Sequence, residues 1–220
     1  MPRARAEHEL ECTWRLERHA YSHGWTLVAG CDEAGRGALL GPLYVAAVIL
    51  DASRPIDGLD DSKKLSPQRR EELAREIRST AIACKVVSLS AEEVDELNVY
   101  QASRTGMIRA LKALRPSPQY ILTDAMPLWD RGAKRKPPYH WLIHGDARSA
   151  SIAAASILAK VARDAWMRKL DSLYPHYNLA QNKGYGTPEH LSSLRRHGPC
   201  TEHRKTFQPV QDCSFPLFPA

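Results

Sequence analysis

Two adjacent acids, Asp32 and Glu33, close an apolar run and lead into the glycine-rich turn Gly35-Arg36-Gly37. Taken alone, such a pair is usually a solvated piece of loop. Two further acids change its weight: Asp124 ends the apolar run 120–123, and Asp146 follows Ile143-His144-Gly145. Carboxylates gathered at strand ends make an all-oxygen site, which suits hard cations such as magnesium or manganese rather than zinc. Two such ions about 4 Å apart can activate a water and stabilise the leaving oxygen in phosphodiester hydrolysis, with no covalent protein intermediate. Neighbouring strand residues point to opposite faces, so Asp32 and Glu33 are expected to converge through a break in regular strand geometry. The glycines after them make such a break available.

The elements that must carry these acids can be read from pattern and punctuation. Residues 27–31 and 43–50 are expected as strands of a hairpin around the glycine-rich turn. Ser66-Pro67 supplies an N-cap and a first-turn proline for an amphipathic helix to about Ala83. A strand at 85–89 follows, then a short helix opened by the capping-box pair Ser90 and Glu93, then a helix over 99–114 that stops before Pro116. Residues 120–123 and 141–143 are expected as short strands, 151–173 as a long helix rich in small residues, and Thr187-Pro188 as the start of a helix closed by Gly198. Interleaved strands and helices with an initial hairpin predict an α/β fold with a mixed β-sheet flanked by helices and a helical C-terminal portion. We expect an N-terminal extension at 1–26, a catalytic domain at 27–210 and a flexible tail at 211–220.

Composition narrows the setting. A chain of 220 residues, 43% hydrophobic, supports one principal core. Lys and Arg number 31 against 25 Asp and Glu, and this excess favours a polyanionic partner. The five cysteines are odd in number and contain no Cys-x-x-Cys pair, which argues against a disulfide framework and for a reducing, cytoplasmic setting. The longest apolar run, 43–50, is too short to span a bilayer, so no membrane association is expected.

At this level the chain resembles bacterial ribonuclease HII. The resemblance rests on Asp32-Glu33-Ala34-Gly35-Arg36-Gly37, Asp61-Ser62-Lys63-Lys64-Leu65, Leu122-Thr123-Asp124-Ala125-Met126, Gly145-Asp146, the run from Ser151 to Lys160, Gly184-Tyr185-Gly186-Thr187 and His203-Arg204-Lys205-Thr206-Phe207, in family order over about residues 27–210. It implies a ribonuclease H-like fold, with Asp32, Glu33, Asp124 and Asp146 as metal-binding and catalytic acids holding Mg2+ or Mn2+. It also implies cleavage of RNA in RNA–DNA hybrids and on the 5′ side of single ribonucleotides in duplex DNA, leaving 3′-hydroxyl and 5′-phosphate ends. The resemblance further implies a part in ribonucleotide excision repair.

Telling RNA from DNA requires sensing the 2′-hydroxyl, and backbone approaches a sugar closely where no Cβ intervenes. The resemblance gives that role to Gly35, Arg36 and Gly37, with Tyr185 packing on the next deoxyribose. Ser62, Lys63 and Lys183 are expected to contact phosphates, with Lys64, Lys160, Asn182 and Arg204 as further candidates. Ala38 stands where the family has proline. Asp164, well inside the long helix, fits a salt bridge better than metal ligation. His197, Cys200 and His203 invite a zinc reading but lack a fourth ligand. The tail Ser214-Phe215-Pro216-Leu217-Phe218 loosely resembles peptides that dock on sliding clamps. Two alternatives remain: a ribonuclease HIII-like enzyme, which Arg36 and the short N-terminal segment disfavour, and a noncatalytic hybrid-binding protein on the same fold.

Overall fold

The computed structural model describes residues 11–129 and 136–214. A five-stranded mixed sheet has the order β3-β2-β1-β4-β5, formed by β1 (Val28–Ala34), β2 (Leu43–Ile49), β3 (Ala83–Leu89), β4 (Tyr120–Asp124) and β5 (Tyr139–Leu142). β1, β2 and β3 pair antiparallel, whereas β4 and β5 add in parallel to β1. The mixed sheet and the expected hairpin are both present.

Strand alternation sorts the core into two layers. Ala29, Cys31, Leu43, Val45, Ala47 and Ile49 pack with helix α4 (Val99–Ala113) on one face. Ala46 and Val48 face the other way, toward α2 (Pro67–Thr80) and the 24-residue α5 (Ala150–Leu173). The small residues of α5, Ala153 to Ala155 and Ala159, let it lie close on the sheet. At Gly30 the approach is so tight that a Cβ would sit 2.0 Å from the Ser151 carbonyl carbon. That contact fixes the height of α5 over β1.

Local punctuation acts where it was expected. Ser66 accepts from the Arg69 amide at 3.2 Å ahead of Pro67, and the Ser90–Glu93 box closes with bonds of 3.0 and 3.1 Å, opening α3 (Ala91–Leu97). Thr187 caps α7 (Pro188–His197), which ends on Gly198 at φ 70°. The N-terminal helix α1 (Arg15–Ser22) packs through Leu16, Ala20 and Tyr21 against Val28, Leu122, Leu142 and Ile152. Between α5 and α7 lie a 3-10 turn, Pro175–Tyr177, and the single-turn α6, Leu179–Asn182, neither of which has a periodicity long enough to read in sequence. Helix α8 (Gln208–Ser214) starts inside the expected catalytic domain and runs into the segment 211–220 expected as a tail, and its Val210 is buried with Leu39 and Leu194. No helix among the described residues is long and apolar enough to cross a membrane.

Candidate active site

The parallel register puts Cys31 beside Thr123, so Asp32 and Asp124 stand side by side at the ends of β1 and β4. They share the α5 face of the sheet with Gly30 and Leu122, whereas Glu33 falls on the opposite parity with Ala29 and Cys31. The expected break in strand geometry at Asp32 and Glu33 is not there: the β1–β2 ladder keeps its register through Ala34 opposite Tyr44. Both acids nevertheless line one cavity of about 450 Å³, because it lies at the end of the strand, where residues of either parity can reach it. The chain turns away only at Gly35, with φ +93°.

The same cavity is lined by Asp124, Arg36, Gly37, Ser62, Lys63, Ser156, Lys160 and Tyr185. Asp146, on the turn after β5, does not itself line the cavity and is linked to it through Lys63, whose Nζ lies 3.5 Å from its Oδ2. That turn is tied to β4 by the Gly145 amide, which donates to Asp124 Oδ1 at 2.7 Å. Ser156, from α5, was not singled out by sequence; its hydroxyl lies 3.0 Å from that of Ser62 and near enough to Asp32 to favour its carboxylate. Its run of small residues looks like pure packing, and only the fold reveals which one faces the acids.

Electrostatically this wall is unfinished. Burial, then the charges of Glu33 and Asp124, hold the Asp32 carboxyl well above the usual range against the pull of the nearby Ser156 hydroxyl. Burial pushes Glu33 up to about 7, with Arg36 pulling down and Asp124 adding to the rise. Burial also raises Asp146, opposed by Lys63 and helped by Asp61 and Asp124. Burial would lower Lys63, but Asp146, Asp61 and Asp32 outweigh it and raise its pKa. Glu33 Oε2 is buried with no hydrogen-bond partner. Among the described residues no group of three or more His, Cys, Asp or Glu side chains stands arranged to hold an ion. Glu33 leans on Arg36 at 3.6 Å and Asp146 on Lys63. The donor chemistry therefore fits a divalent cation, since the acids are all-oxygen, crowded and short of positive charge, while the coordination shell is open.

The facing wall is closed. Arg163, fully buried in α5, donates to the carbonyls of Pro42 at 3.1 Å, Lys183 at 2.8 Å and Leu40 at 3.2 Å. Its guanidinium carbon lies 5.3 Å from the Tyr185 ring centroid. It also fills the space beside Gly35, where a Cβ would come 1.9 Å from Arg163 Nε. So Gly35 serves the left-handed turn and Arg163, and Gly37, with nothing within 4 Å of its Cβ position, is the glycine that leaves open space. Tyr185 stands at the mouth with 38% of its surface exposed.

Several phosphate-contact candidates turn out to be committed elsewhere. Arg204 is buried, donating to the carbonyls of Gly41 and Arg36. Asn182 is buried between the Tyr177 carbonyl at 2.6 Å and the Gly184 amide at 2.8 Å. Lys183 directs its ammonium to the Ala180 carbonyl and does not line the cavity. Lys64 pairs with Asp60 at 3.3 Å. Asp164 forms the expected ion pair, with Lys160 at 2.7 Å. Cys200 and His203 bond each other, the Cys200 amide donating to His203 Nδ1 at 3.0 Å. Of the tail segment 214–218 all but Ser214, and of the basic loop residues 131–135, lie outside the described residues.

The sequence profile of the family Ribonuclease HII matches residues 29–210. A protein named Ribonuclease HII from Geobacillus kaustophilus is 48% identical over 209 residues, covering 93% of this chain and 78% of that relative. Among solved structures, ribonuclease H2 from Pyrococcus horikoshii superposes with a TM-score of 0.73 at 28% identity, over 85% of this chain and 96% of that one. The ribonuclease HII of Archaeoglobus fulgidus, solved in complex with PCNA, does so at 0.65 and 31% identity, over 77% and 86%. With a mixed sheet that brings Asp32 and Asp124 side by side and a profile match across most of its length, the chain belongs to the ribonuclease HII family.

Proposed function

We propose that Asp32, Glu33, Asp124 and Asp146 hold magnesium or manganese ions and that this site cuts RNA–DNA hybrids, and duplex DNA carrying a single ribonucleotide, on the 5′ side of the ribonucleotide. Endoribonuclease action on hybrids follows from membership of the family; the assignment of residues and the cut at single ribonucleotides are our reading. The observation that carries it is the unbalanced negative cluster: three acids with raised pKa values, Asp32 and Asp146 buried and Glu33 partly so, and an orphaned Glu33 oxygen at one sheet end. Divalent ions bound there would offset that charge and supply Lewis-acid activation for phosphodiester hydrolysis.

The chain's own residues do the rest. Lys63, its side chain 79% exposed, stands over Asp146 and is placed to meet a phosphate. Arg36 beside Glu33 and the Ser62 hydroxyl border the same cavity. The open face of Gly37 lets a ribose approach the backbone, and Tyr185, braced by Arg163, offers a flat surface to the neighbouring sugar. Free cysteines at all five positions support work in the cytoplasm. A sliding-clamp contact through the C-terminal tail is supported by its aromatic-leucine-aromatic pattern and by the Archaeoglobus relative solved with PCNA; loss of clamp binding on deleting residues 212–220 tests it.

Asp124→Asn tests the assignment. Cutting is expected to disappear while hybrid binding persists, since one ligand charge is lost and the phosphate contacts remain. Retained cutting refutes the role, and loss of folding instead makes Asp124 a structural anchor for the Gly145 amide.

A further inference from the structure

Helix α5 begins four residues after Asp146, and its first three amides have no intrahelical carbonyl to bond. Each has a partner. The Ile152 amide donates to the N-cap Ser149 Oγ at 3.2 Å, as the local sequence allows. The other two are met from the far N-terminal segment: Ala150 donates to the Thr13 carbonyl at 3.2 Å and Ser151 to Glu17 Oε1 at 2.9 Å. Glu17 Oε1 also accepts from Ser149 Oγ at 2.5 Å, and a backbone bridge pairs Thr13 with Ser149. Glu17 is fully buried, and its Oε2 has no hydrogen-bond partner.

A buried carboxylate with one unsatisfied oxygen is costly. Packing does not require it, because Leu16, Ala20 and Tyr21 already hold α1 on the sheet. What Glu17 offers is a negative charge and a strong acceptor at the positive end of a 24-residue helix. That end is the edge of the candidate site. The Ser149 and Arg148 amides donate to the Gly145 carbonyl at 2.9 and 3.0 Å, and the Ala147 amide to Asp146 Oδ1 at 3.0 Å. Gly145 in turn holds Asp124.

We propose that Glu17 is a positioning residue for the carboxylate site: by capping α5 it fixes the turn that carries Asp146 and anchors Asp124. The inference rests on the metal-site reading above and extends it to a segment that sequence alone separates from the catalytic domain.

The test is Mn2+ affinity of the folded, substrate-free protein, read by electron paramagnetic resonance titration beside thermal unfolding, for Glu17→Ala, Glu17→Gln, Glu17→Asp and Asp124→Asn. Glu17→Ala is expected to weaken Mn2+ binding about tenfold, the low end for groups that orient ligands from outside the coordination shell. Glu17→Gln, which keeps an oxygen for Ser149 and Ser151, is expected to recover most of that loss. Should the alanine variant not fold, Glu17→Asp, which withdraws the carboxylate by one methylene, carries the test with a smaller loss. A lowered melting temperature with unchanged Mn2+ affinity in every folded Glu17 variant, while Asp124→Asn weakens binding, overturns the inference and leaves the site standing. Unchanged affinity in Asp124→Asn overturns the metal-site reading itself.

Discussion

On one side of the candidate site, Asp32, Glu33 and Asp146 carry charge that burial and neighbouring acids resist, and one Glu33 oxygen has no partner. Behind the other side Arg163 and Arg204 are fully buried, yet between them they donate to the carbonyls of Leu40, Pro42, Lys183, Gly41 and Arg36. Both walls place charge where it is expensive. Only the second is complete within the chain. The comparison separates scaffold from candidate binding groups: the arginines hold the loops around Gly41, Lys183 and Arg36 together, and the acids are left short of positive charge, as the proposed metal site requires.

Breaking the closed wall should cost the most stability. Arg163→Met leaves three carbonyls without their donor and is expected to destabilise by about 3 kcal/mol or more in urea unfolding. Gly35→Ala attacks the same contact from the other side, through the forced Cβ and the left-handed φ, and is expected to cost roughly 1 to 3 kcal/mol. Gly37→Ala, with open space at its Cβ, should leave stability nearly unchanged. Equal losses at the two glycines would show that the turn, and not Arg163, sets the requirement.

The open wall should respond in the opposite sense. Glu33 has its folded pKa raised from the ordinary 4.5 to about 7. Its protonated form therefore contributes stability that is fully present below pH 4.5 and is lost as pH rises through about 7. In chelator, Glu33→Gln is expected to stabilise the protein at pH 8, on the order of 1 kcal/mol, and to flatten the decline between pH 5 and 7. A destabilised variant at pH 8 would mean that the carboxylate is satisfied without a cation.

How far the sequence reached follows the same division. Helices announced by neighbours in the chain, such as Ser66-Pro67, the Ser90–Glu93 pair and Thr187-Pro188, form where expected. Strand β4 likewise ends on Asp124, because an apolar run stopping at a carboxylate is a local signal, whereas β1 runs past Asp32 and Glu33 to Ala34. The misses are groups whose role depends on distant partners. Arg204 bonds Gly41 across 163 positions and Glu17 bonds Ser151 across 134, so a basic residue read as a phosphate contact became a brace, and an acid in a polar extension became a helix cap. Ser156 was hidden in a run of small residues whose facing depends on how α5 lies over β1. Charge type and strand position are written locally; satisfaction is not.

The most direct measurement is cleavage of a DNA duplex containing one ribonucleotide, with magnesium or manganese and with a chelator, mapping the ends of the products. Cutting on the 5′ side of the ribonucleotide, dependent on the ion and leaving 3′-hydroxyl and 5′-phosphate ends, is the expected result. Cutting that survives chelation, or that occurs only within long hybrids, would contradict the account.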